Sequence, residues 1–423
     1  MNIIPFQKRF PENFDWGGAF ASYQVSGCNN TNWSDWENSA SRYLSLKFSG
    51  ELEKYSYENF ICADACRHDR RFVSDFNLAK KLGHNAIRCG SEPAKIMPAK
   101  GVIDTKEIKR IVKMVKHLNK IGLKPYWNLW HWTIPSWWEN EGGWESPDAV
   151  SNFEFLVQAV VDALVPLGVT HFITMNETSV FAKLSYEYGC WPPQVQNAVA
   201  MERVTEALAQ GHISAYKIIK TACPNSKVGV AHGLGNKQMT EDTAEQRAWK
   251  EKENMEWDWH FLDKIRDYQD FIGVNHYFRG IFGEHKAEVV SDLGWEMYPR
   301  SLYDTVTDVW SRYKKPIIIT EHGCADADDS RRPWFLWESL LWLHKAMEEG
   351  VPVLGYLHWS LMDNFEWAQG FWPRFGLVGI DRKNNLKRIP KKSAYLYRDI
   401  IRANGLTSDI AQKYKDIVAY PKE

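Results

Sequence analysis

The sequence is poor in cysteine, with seven scattered among its 423 residues. An odd number of scattered cysteines does not suggest the disulfide framework of a small secreted domain and is typical of reduced thiols. Cys62 and Cys66, with His68 close by, would supply part of a metal site, but no second cluster completes a tetrahedral ligand set. We therefore expect no metal ion and no cofactor.

The sequence also lacks a long apolar run, a strong net charge and a low-complexity linker. We count no stretch of about twenty apolar residues, and the first ten residues lack the order of a signal peptide, which predicts no membrane-spanning segment. The formal net charge of −1 does not indicate binding to nucleic acid or to an anionic membrane. These features predict a cytoplasmic protein that binds small neutral molecules, and they leave a monomer or an oligomer possible.

Tryptophan, in contrast, is abundant, with 21 residues in the chain. Core packing must account for most of them. Sugar rings, however, present patches of C–H groups that stack well on aromatic faces, so a tryptophan-rich site favours carbohydrate as the ligand.

A short apolar strand followed by a longer helical segment recurs along the whole chain. The predicted strands are Phe14–Phe20, Asn85–Cys89, Lys124–Trp130, Thr170–Met175, Lys227–Ala231, Phe271–Asn275, Pro316–Thr320 and Val353–Trp359. Apolar residues at three- and four-residue spacing predict helices at Ile108–Ile121, Asn152–Leu167, Val204–Thr221 and Trp334–Glu349. The eight units predict an α/β protein in which residues 1–423 form a single (β/α)8 TIM barrel, with its active site at the carboxyl ends of the strands. The predicted loops at that end are Asn29–Asp69, Trp130–Trp144, Ala231–Gln269 and His276–Tyr303.

Two glutamates stand at strand ends that such a barrel brings to the same mouth. Glu177 follows the fourth predicted strand and Glu321 follows the seventh. One strand-end glutamate alone would ordinarily be solvated or cap a helix. A pair of carboxylates at one mouth can cleave an acetal, because one stays ionised and attacks while the other, with a raised pKa, protonates the leaving oxygen.

Three further residues have both a structural and a functional interpretation. Asn176 either ends a strand or donates a hydrogen bond to a substrate hydroxyl beside the scissile bond. Arg88 forms an ordinary ion pair at a strand end or keeps a nucleophilic carboxylate ionised. His131, in W-H-W-T-I-P, is either a core histidine or a substrate ligand.

Several motifs occur in a fixed order along the chain. They are F-P-E-N-F-D-W-G-G-A-F-A-S-Y-Q-V-S-G near the start, L-W-H-W-T-I-P-S-W-W, T-M-N-E, I-T-E-H-G and H-W-S-L-M-D-N-F-E-W-A-Q-G-F-W-P-R-F-G-L-V-G-I-D. From about Phe10 to about Ile401 the chain resembles glycoside hydrolase family 1, the retaining β-glycosidases. The resemblance implies that Glu321 is the nucleophile and Glu177 the acid/base, held and tuned by Arg88 and Tyr277. It implies a sugar-binding set of Gln24, His131, Asn176, Asn275, Trp359, Glu366 and Trp367, with Trp359 as the stacking platform.

The resemblance also implies an activity. It implies a retaining exo-β-glycosidase that removes terminal β-D-glucosyl, galactosyl or fucosyl residues from a small-molecule β-glycoside or oligosaccharide, with the two carboxylates about 5 to 5.5 Å apart. Relatives acting on 6-phosphoglycosides replace the pair Glu366–Trp367, which is present here, and myrosinase-like members lack the acid/base glutamate, which is also present. A transglycosylase and a catalytically weak or silent sugar-binding barrel are the alternatives.

The chain departs from the family pattern beside both glutamates. Thr178 replaces the usual proline, His322 the usual asparagine, Ser26 a common glutamate and His276 a common tyrosine, and Cys89–Lys95 is unlike the usual segment. We hypothesise that His322 points toward the mouth and adds a titrating charge beside the nucleophile. The alternative is that His322 faces away and fills the turn.

Overall fold

The computed structural model describes residues 6–421, and the outermost residues of the predicted single domain, 1–5 and 422–423, lie outside this range. Eight parallel strands close into one barrel in chain order. They are β1 Asp15–Ala19, β2 Ala86–Gly90, β3 Lys124–Trp130, β4 His171–Asn176, β5 Lys227–Gly233, β6 Phe271–His276, β7 Ile317–His322 and β8 Val353–Trp359. The predicted (β/α)8 barrel is confirmed, and each predicted strand overlaps its observed counterpart.

Helices surround the barrel. The principal ones are α1 His68–Lys81, α2 Thr105–Ile121, α3 Ala149–Leu164, α4 Ala198–Ala222, α5 Ala244–Glu253, α6 Arg300–Tyr313, α7 Arg332–Glu348 and α8 Lys392–Ala403. In α2, Ile111, Val115 and Leu118 recur at helical spacing and are buried. This helix begins three residues before its predicted start because the Asp104 carboxylate caps the first turn, accepting a hydrogen bond from the Lys106 amide at 2.7 Å.

Helix α3 and its 3₁₀ extension Val165–Leu167 differ from the expectation that the chain has no long apolar stretch. Among the described residues, this is the one helix long and apolar enough to cross a membrane, by length and composition alone. A core helix of a soluble protein passes the same test. The helix buries Phe153, Leu156 and Val160 and packs along α4, which accounts for its apolar composition.

The segments predicted as loops at the mouth contain secondary structure of their own. The first folds into helices Asn32–Glu37, Ala40–Phe48 and Glu51–Lys54, and strands Asn236–Met239 and Arg279–Phe282 pair in parallel across the segments after β5 and β6. Most of these elements are only four to six residues long, too short to show a clear periodicity in the sequence. The remaining elements are helices Ser22–Ser26, Pro93–Ile96, Ser136–Asn140, Thr178–Ala182, His260–Lys264, Ser408–Lys413 and Lys415–Val418, π-turns Lys183–Glu187 and Asn254–Trp259, 3₁₀ turns Tyr57–Phe60, Gly143–Glu145 and Trp367–Gln369, and antiparallel strand pairs Gln7–Arg9 with Gly405–Thr407 and Val378–Asp381 with Lys387–Pro390.

The apolar residues divide between the barrel interior and the layer outside it. Small residues such as Ala19 and Ala86 pack with Tyr126 and Phe271 in the interior, and the Trp359 side chain packs with this same cluster. The larger cluster lies between the strands and the helices and contains most of the fully buried tryptophans, among them Trp16, Trp127, Trp130, Trp138 and Trp144. Core packing therefore accounts for much of the tryptophan content.

Candidate active site

Glu177 and Glu321 lie at the carboxyl ends of β4 and β7, and both are buried. Glu177 directly follows β4 and has a positive φ of 43°, a left-handed conformation at the point where the chain turns from strand into helix. Asn275 of β6 is the register partner of Glu321, and its Nδ2 donates a hydrogen bond to Glu177 Oε1 at 2.9 Å. The barrel therefore brings both glutamates to one mouth, with an amide that links their surroundings.

Glu321 is held by a cation and a hydroxyl. Arg88 Nη1 contacts Glu321 Oε1 in a buried ion pair, and the Tyr277 hydroxyl donates a hydrogen bond to Oε2 at 2.5 Å. Burial raises the pKa of Glu321, while Arg88 and the Tyr277 hydroxyl oppose that rise. Both groups sit where they stabilise the carboxylate that a nucleophile needs.

Glu177 has a different electrostatic environment. Burial, and next the charge of Glu321, raise its pKa to about 8, while the Asn275 amide and Arg88 act against the shift. The Glu177 carboxyl is therefore protonated at neutral pH and can donate a proton. The two glutamates differ in their partners, because the cation Arg88 pairs with Glu321 and not with Glu177.

Asn176 lies at the centre of a hydrogen-bond network. Its Oδ1 accepts hydrogen bonds from Arg88 Nη2 at 2.6 Å and Asn275 Nδ2 at 3.0 Å, and its Nδ2 lies 3.1 Å from His131 Nε2. Asn176 and His131, both predicted to bind sugar hydroxyls, thus bond to each other here. The contacts of Asn176 and His131 with a sugar stay a prediction. In the structure, Asn176 holds the side chains of Arg88 and Asn275 in place, and His131 in turn contacts Asn176.

Gln24 and Glu366, the other predicted hydroxyl ligands, also lie together. Gln24 Nε2 donates to the Phe365 carbonyl at 2.7 Å and reaches Glu366 Oε2 at 3.5 Å. The buried Gln24 Oε1 has no hydrogen-bond partner among the described residues. Burial, with the charges of Glu321 and Glu177, raises the pKa of Glu366 to about 8. Gln24 therefore offers an amide oxygen, and Glu366 a carboxyl group, to the hydroxyl groups of a ligand.

Aromatic rings complete the site. The His131 ring is stacked with both Trp359, at a centroid distance of 6.0 Å, and Trp367, at 5.7 Å. Trp132 was not among the predicted site residues, yet its Nε1 donates to the Asn176 carbonyl at 3.0 Å and its ring contacts Trp367 at 4.7 Å. The sequence did contain a signal for Trp132, because it directly follows His131 in the motif W-H-W-T-I-P. Thr320 was also missed, and its hydroxyl donates to Asn275 Oδ1 at 2.7 Å.

His322 does not point toward the mouth, so the hypothesis of a titrating charge beside the nucleophile is wrong. Its Nδ1 hydrogen-bonds the Tyr356 hydroxyl at 2.8 Å, and its ring stacks on Phe335 of α7 at 4.9 Å. Burial holds the pKa of His322 well below its usual range. Strand β7 continues through His322, and because successive side chains of a strand point to opposite faces, His322 points outward when Glu321 points inward.

The other residues noted in the sequence have local partners. His276 Nε2 bonds Ser301 Oγ at 2.7 Å, and Ser26 Oγ accepts from the Asp69 amide at 3.1 Å. Cys62 Sγ donates to the Tyr23 carbonyl and Cys66 Sγ to the Asp363 carbonyl, while His68 pairs with Asp75. No cluster of metal-ligating side chains occurs within residues 6–421.

Sequence comparison agrees with this geometry. Residues 6–268 and 283–406 match the family model described as "Glycosyl hydrolase family 1". The chain belongs to this family. The interval between the matched segments contains strand β6, which carries Asn275, and the residue Tyr277 that follows this strand.

Relatives of known name extend the comparison. The chain is 32% identical over 364 residues to the "Galactolipid galactosyltransferase SFR2, chloroplastic" of Arabidopsis thaliana, covering 79% of this chain and 57% of that protein. It thus spans little more than half of that plant relative. It is 27% identical to the "1,4-beta-D-glucan glucohydrolase" of Thermotoga neapolitana, covering 95% of this chain and 100% of that protein. The solved "beta-glycosidase from Pyrococcus horikoshii" is 30% identical, covers 99% of both chains and has a TM-score of 0.84.

Proposed function

We propose that the protein is a retaining exo-β-glycosidase that releases terminal β-D-glucosyl, galactosyl or fucosyl residues from β-glycosides or oligosaccharides. The observation that carries the proposal is a pair of buried glutamates at one mouth with different partners, a cation and a hydroxyl for Glu321 and a neutral amide for Glu177. Arg88 and Tyr277 hold Glu321, and the pKa of Glu177 is raised to about 8. This division of roles between two carboxyls is what acetal cleavage requires.

In the first step, the Glu321 carboxylate attacks the anomeric carbon. A bond forms between a Glu321 oxygen and that carbon as the bond to the leaving oxygen breaks, and the Glu177 carboxyl donates its proton to the leaving oxygen. The products are a glycosyl ester on Glu321, a free alcohol and an ionised Glu177. Neutralising Glu321 removes the charge that helped raise the pKa of Glu177, so Glu177 then accepts a proton less readily and stays ionised.

In the second step, Glu177 acts as a base. It takes a proton from a water molecule as the water oxygen attacks the anomeric carbon, and the ester bond to Glu321 breaks. The sugar leaves with the configuration of the substrate, and both glutamates return to their starting states.

Sugar recognition falls to the residues around the glutamates. Gln24 and Glu366 offer an amide oxygen and a carboxyl group to sugar hydroxyls, the Trp367 indole N–H would donate to another hydroxyl, and Trp359 would be the stacking platform for the sugar ring. The names of the T. neapolitana and P. horikoshii relatives support a β-glycoside substrate.

Nitrophenol release from a panel of α- and β-linked nitrophenyl glycosides tests the proposal. We expect turnover of β-glucoside, β-galactoside or β-fucoside by the parent, and loss of at least about a thousandfold in Glu321→Gln and Glu177→Gln. Glu338→Gln, a half-buried glutamate on α7, is the matched control and should retain activity. If the parent turns over no β-glycoside while sugar binding persists, the silent sugar-binding barrel replaces this proposal.

Transglycosylation is the second candidate, because the A. thaliana relative is named a galactosyltransferase. The first step is unchanged. In the second, an acceptor hydroxyl replaces water, Glu177 takes its proton, and a new glycosidic bond forms as the ester to Glu321 breaks. Product analysis with increasing concentrations of a sugar or alcohol acceptor separates the two: transfer products that exceed free sugar at modest acceptor concentration favour the transferase.

A further inference from the structure

A cavity of about 780 Å³ lies at the mouth of the barrel, apart from the predicted site residues. Loops that follow β1, β6, β7 and β8 form it, so it opens at the end of the barrel that carries the two glutamates. We name it the rim cavity and define it by six of its lining residues, Tyr55, Asn59, Asp292, Phe371, Trp372 and Arg374. None of the eleven residues predicted from the sequence lines it.

One wall of the rim cavity is aromatic. The rings of Tyr55 and Trp372 are stacked nearly parallel, with centroids 5.7 Å apart and an interplanar angle of 6°. Both residues are partly exposed. The neighbouring Phe371 ring carries the Arg382 guanidinium at 3.5 Å. A flat, partly exposed aromatic wall suits the C–H face of a sugar ring.

Charged groups of both signs line the rim cavity. Arg374 and Arg382 line the cavity together with Glu58 and Asp292, and the Asp292 carboxylate is already paired with Arg331. The nearest carboxylate oxygen to Arg374, Asp363 Oδ2, is 3.5 Å away, which leaves guanidinium donors for other partners. Donors and acceptors are both present around the cavity, and both can bond the hydroxyl groups of a sugar.

The rim cavity and the glutamate site share one rigid frame. The Arg374 carbonyl accepts hydrogen bonds from Arg332 Nη2 at 2.7 Å and from the Asp326 amide at 3.0 Å, which fixes the wall of the cavity to the segment after β7. The next residue, Phe375, contacts the Tyr277 ring at 5.9 Å, and Tyr277 bonds Glu321. A ligand in the rim cavity is therefore positioned relative to the glutamates.

We infer that the rim cavity is a second saccharide-binding site, which holds a neutral sugar unit of an oligosaccharide or polysaccharide other than the unit cleaved. This inference rests on the proposed function for the identity of the substrate. Binding there would raise the affinity for long substrates through a second point of attachment, without touching the reacting atoms.

Calorimetric titration of cellopentaose and of β-1,4-linked galactopentaose into Glu321→Gln protein tests the inference, because binding is then read without turnover. Adding Trp372→Ala should weaken binding of at least one pentasaccharide fivefold or more. Trp342→Ala, which removes a partly exposed tryptophan of α7 that does not line the rim cavity, should leave binding unchanged, and Trp372→Phe should restore part of the loss. In the protein with Glu321 intact, Trp372→Ala should hydrolyse nitrophenyl glycosides within twofold of the parent.

Three results would overturn the inference. They are undiminished pentasaccharide binding in Trp372→Ala, no pentasaccharide binding in the parent, and a fall in nitrophenyl glycoside turnover that parallels the loss of binding. Thermal unfolding of each variant shows whether Trp372→Ala has lost its structure in general. If it has, pentasaccharide binding by Trp372→Phe and Asn59→Ala tests the inference instead. Failure of the proposed function has a separate signature, since the parent would then turn over no nitrophenyl glycoside whatever the variants bind.

Discussion

The Asn275 amide donates a hydrogen bond to Glu177 Oε1 at 2.9 Å, and the orientation of that amide is fixed from the strand that carries the other glutamate. Thr320, which precedes Glu321 on β7, donates its hydroxyl to Asn275 Oδ1 and so keeps the Nδ2 group turned toward Glu177. The surroundings of the proposed acid/base are thus set by the residue next to the proposed nucleophile.

Thr320→Val should lower kcat/KM about tenfold with little change in fold. Valine has nearly the same shape, but it leaves Asn275 Oδ1 without its donor, and the loss of one buried hydrogen bond is worth about 1.4 kcal/mol, or a factor of ten. Steady-state kinetics on a nitrophenyl glycoside measures the effect. Thr174→Val is the matched control, because Thr174 is equally buried on β4 but bonds His212 outside the site; an equal loss in both variants would refute the role of Thr320.

Tyr277→Phe should move the acidic limb of the kcat/KM profile to higher pH. The Tyr277 hydroxyl lowers the pKa of Glu321, so without it the pKa rises further, and the ionised nucleophile is lost at a higher pH. A hydrogen bond to a charged group is worth about 1.5–3 kcal/mol, which predicts a loss of roughly 10- to 100-fold in kcat/KM at neutral pH. An acidic limb at its original pH in Tyr277→Phe would contradict this role.

The basic limb of the kcat/KM profile should report Glu177. Its pKa is raised to about 8, so the proton that the leaving oxygen needs is present below that pH and is lost as the pH rises through it. Replacing Glu321 by glutamine removes a charge that raises this pKa, and carbon NMR titration of labelled Glu177 should show a lower value in that variant.

A dinitrophenyl glycoside supplies the control for this limb. Its leaving group needs no proton donor, so Glu177→Gln should retain most of its kcat/KM on the dinitrophenyl substrate and lose it on the mononitrophenyl substrate. If the parent shows a basic limb with the same pKa on both substrates, that limb belongs to a group other than Glu177.

His322→Asn should leave the pH–rate profile unchanged while it lowers stability. The imidazole faces Tyr356 and Phe335 rather than the mouth, so its replacement loses one buried hydrogen bond and a ring contact. Together these are worth about 1–2 kcal/mol in the free energy of unfolding. Denaturant unfolding measures the change, and Tyr356→Phe should lose part of the same energy; a shifted acidic limb in His322→Asn would restore the abandoned hypothesis.

The sequence by itself determined the barrel and the position of its two glutamates. Apolar runs of strand length, separated by helical periodicity, occur eight times, and the carboxyl ends of parallel strands must meet at one mouth. The two-residue pattern did not contain the orientation of His322, because the pairing of β7 with β6 shifts register between Ile319 and Glu321 and interrupts the alternation there. Continued from Ile318, which packs in the barrel interior, strict alternation would have turned Glu321 outward.

Only the tertiary structure decided which partner each polar side chain takes. Asn176 bonds His131, Arg88 and Asn275, three residues on three other strands or their ends, and no local pattern encodes those choices. The rim cavity likewise joins Tyr55, Asp292 and Trp372 from three distant segments. The physical reason is that periodicity records which face of one element is buried, whereas hydrogen bonds and cavities form between elements after the chain has closed the barrel.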